Sequence, residues 1–128
     1  MRVLLDTHVL IWASGAPEKI SPVGREILED GGSELVWSAV GTVELAIKAA
    51  QGKLRLLAGI EAFLEEQRVL LDLEPLPLNH RHALRLATLP GKHGDPFDRL
   101  LVAQAQVERM PLLSADARLR EYEVEVLW

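Results

Sequence analysis

The stretch Val3-Leu4-Leu5-Asp6-Thr7-His8-Val9-Leu10-Ile11-Trp12 joins a short apolar run, a polar turn and a second, longer apolar run. The first run predicts a short buried strand, and the second predicts a helix that is broken at Ser14-Gly15-Ala16-Pro17. Asp6 stands at the junction, where helices prefer an Asp as the N-cap. The chain therefore begins as strand, turn and helix.

The same alternation runs through the rest of the chain. We predict further strands at residues 35–37, 73–78, 111–114 and 124–127. Helices are predicted at residues 23–30, 39–51, 60–71, 80–89 and 96–109, with a helical turn at 116–122. Pro75 and Pro77 indicate that the 73–78 strand is short or lies at an edge. Strands that alternate with helices predict an α/β fold: a three-layer α/β/α sandwich around a mostly parallel sheet, in a single domain of residues 1–128.

Composition limits the class of protein and the kinds of site. The 128 residues are enough for one core, and 48% of them are hydrophobic, which argues against disorder. The absence of cysteine excludes a disulfide scaffold, a thiolate nucleophile and a Cys-ligated metal. No apolar run approaches the ~20 residues that span a bilayer. Since residues 1–6 are too short and too soon acidic for a signal peptide, we expect a cytoplasmic protein.

The formal net charge is −5, so the chain has no large basic field for gripping nucleic acid. If the substrate is a phosphodiester, its repulsion must be overcome locally. A metal ion, a few placed Arg or Lys residues, or a basic partner could do so.

Polar residues follow three of the predicted strands directly. Asp6 follows the first strand, Ser38 follows the second, and Asp116 follows the fourth, which ends at Ser114. Ligands of open α/β sheets bind beyond the carboxyl ends of the strands, so these side chains are candidates for a site. Taken singly, Asp6 and Asp116 are better explained as helix N-caps.

Glu44 is a further candidate acid. Its neighbours at helical spacing include Val40 and Ile47, so we favour an orientation toward the interior. The alternative is an ion pair with Lys48 on the helix surface, worth about 0.3–0.5 kcal/mol.

The segment from His93 to Arg99 is dense in charge. Asp95 followed by Pro96 is typical of a helix N-cap, and we take capping as the main role of Asp95. Asp98 then occupies the third helical position, where the helix dipole favours an acid. From there Asp98 could also project across the strand ends.

Taken together, the acids Asp6, Glu44, Asp98 and Asp116 could meet at one end of the sheet. Carboxylates held that close raise one another's pKa, and a cation would relieve their repulsion. An all-oxygen set without Cys selects Mg²⁺ or Mn²⁺. Such an ion can deprotonate water and stabilise charge on a phosphoryl oxygen.

Four motifs in order resemble the PIN-domain family, and more narrowly the VapC-type toxins of toxin–antitoxin pairs. The run Leu4–Trp12 resembles the family's opening motif, and Ser38, Glu44, Lys48 and Gly52-Lys53-Leu54 resemble its second. The third, His93-Gly94-Asp95-Pro96-Phe97-Asp98-Arg99-Leu100-Leu101-Val102-Ala103-Gln104-Ala105, is the most specific. Leu112-Leu113-Ser114-Ala115-Asp116 resembles the fourth, where Thr is more usual than Ser.

The resemblance implies a five-stranded parallel sheet and a metal-dependent endoribonuclease that uses Mg²⁺ or Mn²⁺ to cut RNA. Asp6, Glu44 and Asp98 would be the main catalytic and metal-binding acids, supported by Asp116. Thr7 and Ser114 would orient water or carboxylates, and Asp95 is typical of the subgroup. The family also implies a VapB-like antitoxin as partner, and a homodimer.

Other polar and aromatic residues receive lesser roles. Arg99 is a candidate for a phosphate contact or for orienting a carboxylate, and an ordinary exposed helix arginine is an equal alternative. We expect structural or surface roles for all four histidines, and core or dimer contacts for the tryptophans.

Two alternative functions remain open at this point. One is a catalytically inactive PIN-like module that binds a partner, which the presence of all four acids disfavours. The other is a phospho-accepting receiver domain, which needs an acid after the middle strand and a late Lys. Pro75, Pro77 and the lack of Lys after Lys92 argue against the receiver domain.

Overall fold

Five parallel strands form one sheet within residues 1–91 and 94–128, which are the residues that this computed structural model describes. The strands are β1 (Arg2–Leu5), β2 (Glu34–Ser38), β3 (Glu74–Leu76), β4 (Leu112–Leu113) and β5 (Val126–Leu127). Their order across the sheet is β3-β2-β1-β4-β5, and every neighbouring pair is parallel. The predicted α/β class with a five-stranded parallel sheet is confirmed, and β3 lies at an edge as its prolines indicated.

Helices cover both faces of the sheet. They are α1 (Thr7–Gly15), α2 (Pro22–Glu29), α3 (Ala39–Ala50), α4 (Gly59–Leu71), α5 (His80–Leu86) and α6 (Pro96–Glu108), with 3₁₀ segments at Pro17–Lys19 and Ala117–Glu121. No helix in the described ranges is long and apolar enough to cross a membrane.

The helix predicted at residues 80–89 ends early, at Leu86. The amides of Ala87 and Thr88 bond to carbonyls three residues back, and the Thr88 hydroxyl donates to Arg85 O at 2.9 Å. These contacts tighten the chain into a turn ahead of Pro90, so the α-helical ladder stops.

The sheet separates two apolar cores because successive strand residues point to opposite faces. Val3 and Leu5 of β1 pack on the side of α1, α2 and α4, whereas Leu4 packs on the side of α6. All three are at most 1% exposed. The central strand is therefore buried on both faces, which holds its carboxyl end in a fixed position between the helical layers.

The order of the strands creates a switch point between β1 and β4. From β1 the chain proceeds outward to β2 and β3, and then returns to build β4 and β5 on the other side. Crevices for ligands form at the carboxyl ends of strands at such a point. Asp6 and Ser114 follow the two strands that flank it, and the Asp6 amide donates to Leu113 O at 3.0 Å.

Candidate active site

Asp6 lies at the switch point and is only 3% exposed. Its carboxylate accepts hydrogen bonds from the Thr7 amide at 2.7 Å and from the Ser114 hydroxyl at 2.6 Å, and it caps α1. Burial raises the pKa of Asp6, and the nearby charge of Glu44 raises it further. The His8 ring, Ser114 and Thr7 oppose this rise in pKa without cancelling it. The capping role expected for Asp6 is confirmed, but the carboxylate is also held in an energetically costly position.

His8 lies between Asp6 and the loop after β4 and contacts both. The Ala115 amide donates to His8 Nε2 at 3.0 Å, so the proton of the neutral ring lies on Nδ1. Nδ1 is 3.5 Å from Asp6 Oδ2. The sequence assigned His8 no part in the site, and its position beside Asp6 was the signal available for one. Its contacts are those of a residue that positions an acid.

Asp98 lies at the start of α6 and is 9% exposed. Burial, followed by the negative charges of its neighbours, raises the pKa of Asp98 to about 7. The charges that contribute come from Asp6, Asp95, Asp116 and Glu44. The structure therefore brings Asp98 into the electrostatic field of every other predicted site acid.

Asp95 caps α6 as expected. Its Oδ1 accepts from the Phe97 amide at 2.9 Å and from the Asp98 amide at 3.2 Å. These bonds satisfy donors that the first helical turn would otherwise leave unpaired. They also fix the backbone of Asp98, so Asp95 positions the buried acid from outside.

Glu44 combines the two orientations that the sequence presented as alternatives. Glu44 is 7% exposed and points inward, yet its Oε2 lies 2.7 Å from Lys48 Nζ. The two are compatible because the long Lys48 chain reaches the buried group while remaining 43% exposed. Glu44 Oε1 is buried and has no hydrogen-bond partner among the described residues. That oxygen is available to a cation.

Ser114 connects the two acids that flank the switch point. Its hydroxyl donates to Asp6 Oδ2 and accepts from the Asp116 amide at 3.0 Å. Asp116 in turn caps the 3₁₀ segment through the Arg118 amide. The Arg118 guanidinium also binds both carboxylate oxygens of Asp116, at 3.0 and 2.8 Å. The predicted orienting role of Ser114 agrees with this geometry and stays a prediction for catalysis.

Two supporting residues have distinct surroundings. The Thr7 hydroxyl is buried and has no hydrogen-bond partner among the described residues, so it could donate to a water or ligand at the site. Arg99 Nη1 donates to Pro90 O at 2.7 Å and to the Tyr122 hydroxyl at 3.2 Å. These contacts tie α6 to its preceding loop, and a phosphate contact by Arg99 stays a prediction. His93 lies outside the described residues.

The site suits a divalent cation in its donor chemistry. Buried carboxylates, an orphaned Glu44 oxygen and a carboxyl group with a pKa of about 7 all favour a positive charge among them. However, no three acidic or histidine side chains within residues 1–91 and 94–128 are arranged so that they could hold one ion as they stand. Amine or guanidinium groups contact oxygens of Glu44 and Asp116 in this conformation.

Fold and site define an α/β protein with acids gathered at the switch point of a parallel sheet. The family model described as PIN domain matches residues 3–125, nearly the whole chain. The chain belongs to the PIN-domain family, as its motifs predicted.

Relatives of known name support the narrower resemblance. The chain is 31% identical over 121 residues to Ribonuclease VapC22 of Mycobacterium tuberculosis, covering 94% of this chain and 91% of that protein. Among solved structures, it resembles a chain of VapBC2 from Rickettsia felis bound to a promoter DNA fragment, with a TM-score of 0.75, 16% identity and coverage of 98% and 97%. It also resembles VapBC-1 from nontypeable Haemophilus influenzae, with a TM-score of 0.63, 18% identity and coverage of 98% and 96%. At these identities the structural likeness establishes a shared fold.

Proposed function

We propose that this chain is a divalent-metal-dependent endoribonuclease that acts as the toxin of a toxin–antitoxin pair. The observation that carries the proposal is the burial of Asp6, Glu44 and Asp98, with Glu44 Oε1 lacking a hydrogen-bond partner among the described residues. Burial and four neighbouring carboxylates raise the pKa of Asp98 to about 7, in agreement with it. A fold gathers such repelling charges where a cation is to be bound. The 31% identity to a protein named Ribonuclease VapC22 supports RNA as the substrate.

The ion would be Mg²⁺ or Mn²⁺, held by Asp6, Glu44 and Asp98 with support from Asp116. All these donors are oxygens, which hard divalent ions prefer. When bound, the ion supplies activation of an attacking water and stabilisation of charge on the scissile phosphate.

The chain's own residues prepare the site for that chemistry. Ser114, the Thr7 amide and His8 hold the Asp6 carboxylate in one orientation. Asp98, with a pKa of about 7, carries a proton on its carboxyl group in about half of the molecules at pH 7. Binding of a cation requires the carboxylate form, so it releases that proton.

An RNA digest tests the proposal. Purified protein should cut a labelled single-stranded RNA with Mg²⁺ or Mn²⁺ and should stop when EDTA is added. Asp6→Asn keeps a residue that can cap α1, so the fold should persist while cleavage falls about a hundredfold or more. Asp30→Asn removes the same charge from an exposed turn at the other end of the sheet and should cleave like wild type. Cleavage that ignores EDTA, or that survives Asp6→Asn, would contradict the proposal.

The partner would be a VapB-like antitoxin, and the toxin would form a homodimer. Support for the antitoxin comes from the structural neighbours, whose names describe VapBC assemblies. Co-expression with a VapB-like antitoxin tests the partner: the two chains should co-purify, and the complex should no longer cleave RNA. Light scattering of the purified chain tests the dimer, and a monomeric mass would contradict it.

A further inference from the structure

Arg118 makes a two-point ion pair with an acid of the candidate active site. Its Nε and Nη2 donate to the two oxygens of Asp116, at 3.0 and 2.8 Å, while 63% of its side chain remains exposed to solvent. Asp116 is only 20% exposed. The guanidinium therefore covers a site acid from the solvent side, in the two-point geometry that arginine offers to carboxylates and phosphates alike.

The charge of Arg118 interacts with acids beyond Asp116. Asp116 raises the pKa of the Arg118 guanidinium, first through the hydrogen bond and then through its charge. The negative charges of Asp98 and Asp95 add to that rise. Arg118 is thus a cation at the mouth of the site, close enough to feel acids on α6 as well as the one it binds.

Two requirements of the proposed function meet at this residue. An ion shared with Asp116 needs an oxygen that Arg118 now engages, and a chain with a net charge of −5 needs local cations to hold RNA. We infer that Arg118 is a phosphate-binding residue, which pairs with Asp116 in the ion-free protein and turns to an RNA phosphate when a divalent ion takes over that carboxylate. The inference rests on the proposed function and names a substrate contact for it.

When Arg118 changes partner from Asp116 to a phosphate, each charged group keeps a partner of opposite charge. In the ion-free state, Arg118 neutralises Asp116. When an ion neutralises the carboxylates, the guanidinium loses its partner and can donate to two phosphate oxygens in the same geometry. RNA and metal should therefore help each other to bind, since each favours the state in which Arg118 has left Asp116.

Metal affinity gives the first test and does not depend on catalysis. Arg118→Met removes the charge but keeps an unbranched chain and the backbone amide that Asp116 caps. Calorimetric titration of Mn²⁺ into the RNA-free protein should show binding about 2- to 5-fold tighter than in wild type, because an exposed competing pair has been removed. Weaker Mn²⁺ binding would make Arg118 a residue that positions Asp116, and unchanged binding would leave it without a role there; either result overturns the inference.

Cleavage kinetics give the second test, with the opposite sign. For a single-stranded RNA, KM should rise about tenfold in Arg118→Met, because a charged hydrogen bond to phosphate is lost. The slope of log affinity against log salt should become shallower by about 0.7. Arg118→Lys should restore part of the affinity, since it keeps the charge but loses the two-point geometry. An unchanged KM and salt slope would overturn the inference.

Arg68→Met is the matched control. Arg68 also binds a carboxylate at two points, Glu65, at 2.9 and 2.6 Å, and is 56% exposed, but it lies on α4 away from the acids. It should change neither Mn²⁺ affinity nor KM. If wild type cuts RNA with metal and Arg118→Met behaves like Arg68→Met, the inference alone fails. If wild type neither binds Mn²⁺ nor cuts RNA, the proposed function fails first.

Discussion

Two buried polar clusters lie among the residues that the structure describes, and they differ in whether their polar atoms have hydrogen-bond partners. The first is the acidic site around Asp6, Glu44 and Asp98. The second, which we call the His82 network, is formed by Ser38, Gln104, His82 and Glu108 between α3, α5 and α6.

In the His82 network each donor finds an acceptor. The Ser38 hydroxyl donates to Gln104 Oε1, and the Asn79 amide donates to His82 Nδ1 at 3.2 Å. The opposite ring nitrogen, Nε2, therefore carries the proton that it shares with Glu108 Oε2 at 3.0 Å. Ser38, Gln104 and His82 are 0% exposed. A network completed in this way stabilises one arrangement of the helices.

The acidic site has the reverse character. Glu44 Oε1 and the Thr7 hydroxyl are buried without hydrogen-bond partners among the described residues, and the pKa values of Asp6 and Asp98 are raised. The site therefore costs stability in the ion-free protein. Buried polar groups therefore do not by themselves mark a functional site in this protein. Buried polar groups that lack hydrogen-bond partners do, because they lie among the acids of the candidate site.

The substitution of Asp98 should have the largest effect on activity of the changes considered for the two clusters. Under the proposed function, Asp98→Asn should lower kcat/KM for RNA about a hundredfold or more, because it removes a carboxylate that the proposal assigns to the metal. The same variant should be at least as stable as wild type in EDTA at pH 8, since a repelled charge has been removed. Cleavage assays and urea unfolding of the same preparations measure both effects. Equal losses of activity and stability would show that Asp98 is structural.

Removing Gln104 should have the complementary effect. Gln104→Leu leaves the buried Ser38 hydroxyl without its acceptor, at a cost of about 1–3 kcal/mol, and also removes a 3.4 Å hydrogen bond to the carbonyl of the exposed Pro77. We expect a loss of about 1–3 kcal/mol in the free energy of unfolding. Activity per folded molecule should persist below the unfolding transition, because no acid of the site contacts Gln104 in the described hydrogen bonds. Loss of activity at unchanged stability would place the network in the site.

The pH dependence of stability should separate the clusters further. The pKa of Asp98 is higher in the folded chain, about 7, than the ordinary value of 3.8, so the folded state binds more protons between these values. Stability from this group is complete below pH 4 and is lost as the pH rises through 7. In EDTA, wild type should lose about 1–2 kcal/mol relative to Asp98→Asn between pH 5 and 7.

Mn²⁺ supplies the control for that measurement. Because the ion binds the carboxylate form, its stabilising effect on wild type should grow over the same pH range. Parallel pH curves for wild type and Asp98→Asn in EDTA would contradict the raised pKa.

The sequence predicted the architecture well because the signals were local. Short apolar strands, capping residues such as Ser38 and Asp95, and the prolines of β3 each act within a few residues of their own position. The end of α5 was missed by three residues, whereas the ends of α4 and α6 were predicted to within one residue. This holds although the residues after these two helices, Asp72 and Arg109, take the left-handed conformation, with φ of 50° and 54°. Glycine is the usual signal for such an end, and neither position carries one.

The acids of the site could be predicted from the sequence, but most of the residues that contact them could not. Asp6, Asp98 and Asp116 could be found because each follows a strand or begins a helix. Glu44 could be found because its neighbours at helical spacing include apolar residues. The contacts of His8 with Ala115 and of Ser114 with Asp6 join residues about 107 positions apart, and no local pattern encodes them. The helical spacing offered the ion pair of Glu44 with Lys48 as an alternative, whereas nothing in the local pattern predicted that Arg118 would engage Asp116.

The smallest expected effect is that of substitutions at Asp95. They test whether Asp95 takes part in catalysis or only caps α6. Asp95→Ala removes the N-cap of α6 and should cost about 1 kcal/mol of stability. Asp95→Ser keeps a side-chain acceptor for the Phe97 and Asp98 amides but removes the negative charge. If Asp95 acts by capping, Ser should restore both the free energy of unfolding and the rate of RNA cleavage. Restored stability with cleavage still reduced would mean that the charge of Asp95 acts on the ion or on Asp98. Asp95 would then join Asp6, Glu44, Asp98 and Asp116 as an acid of the site.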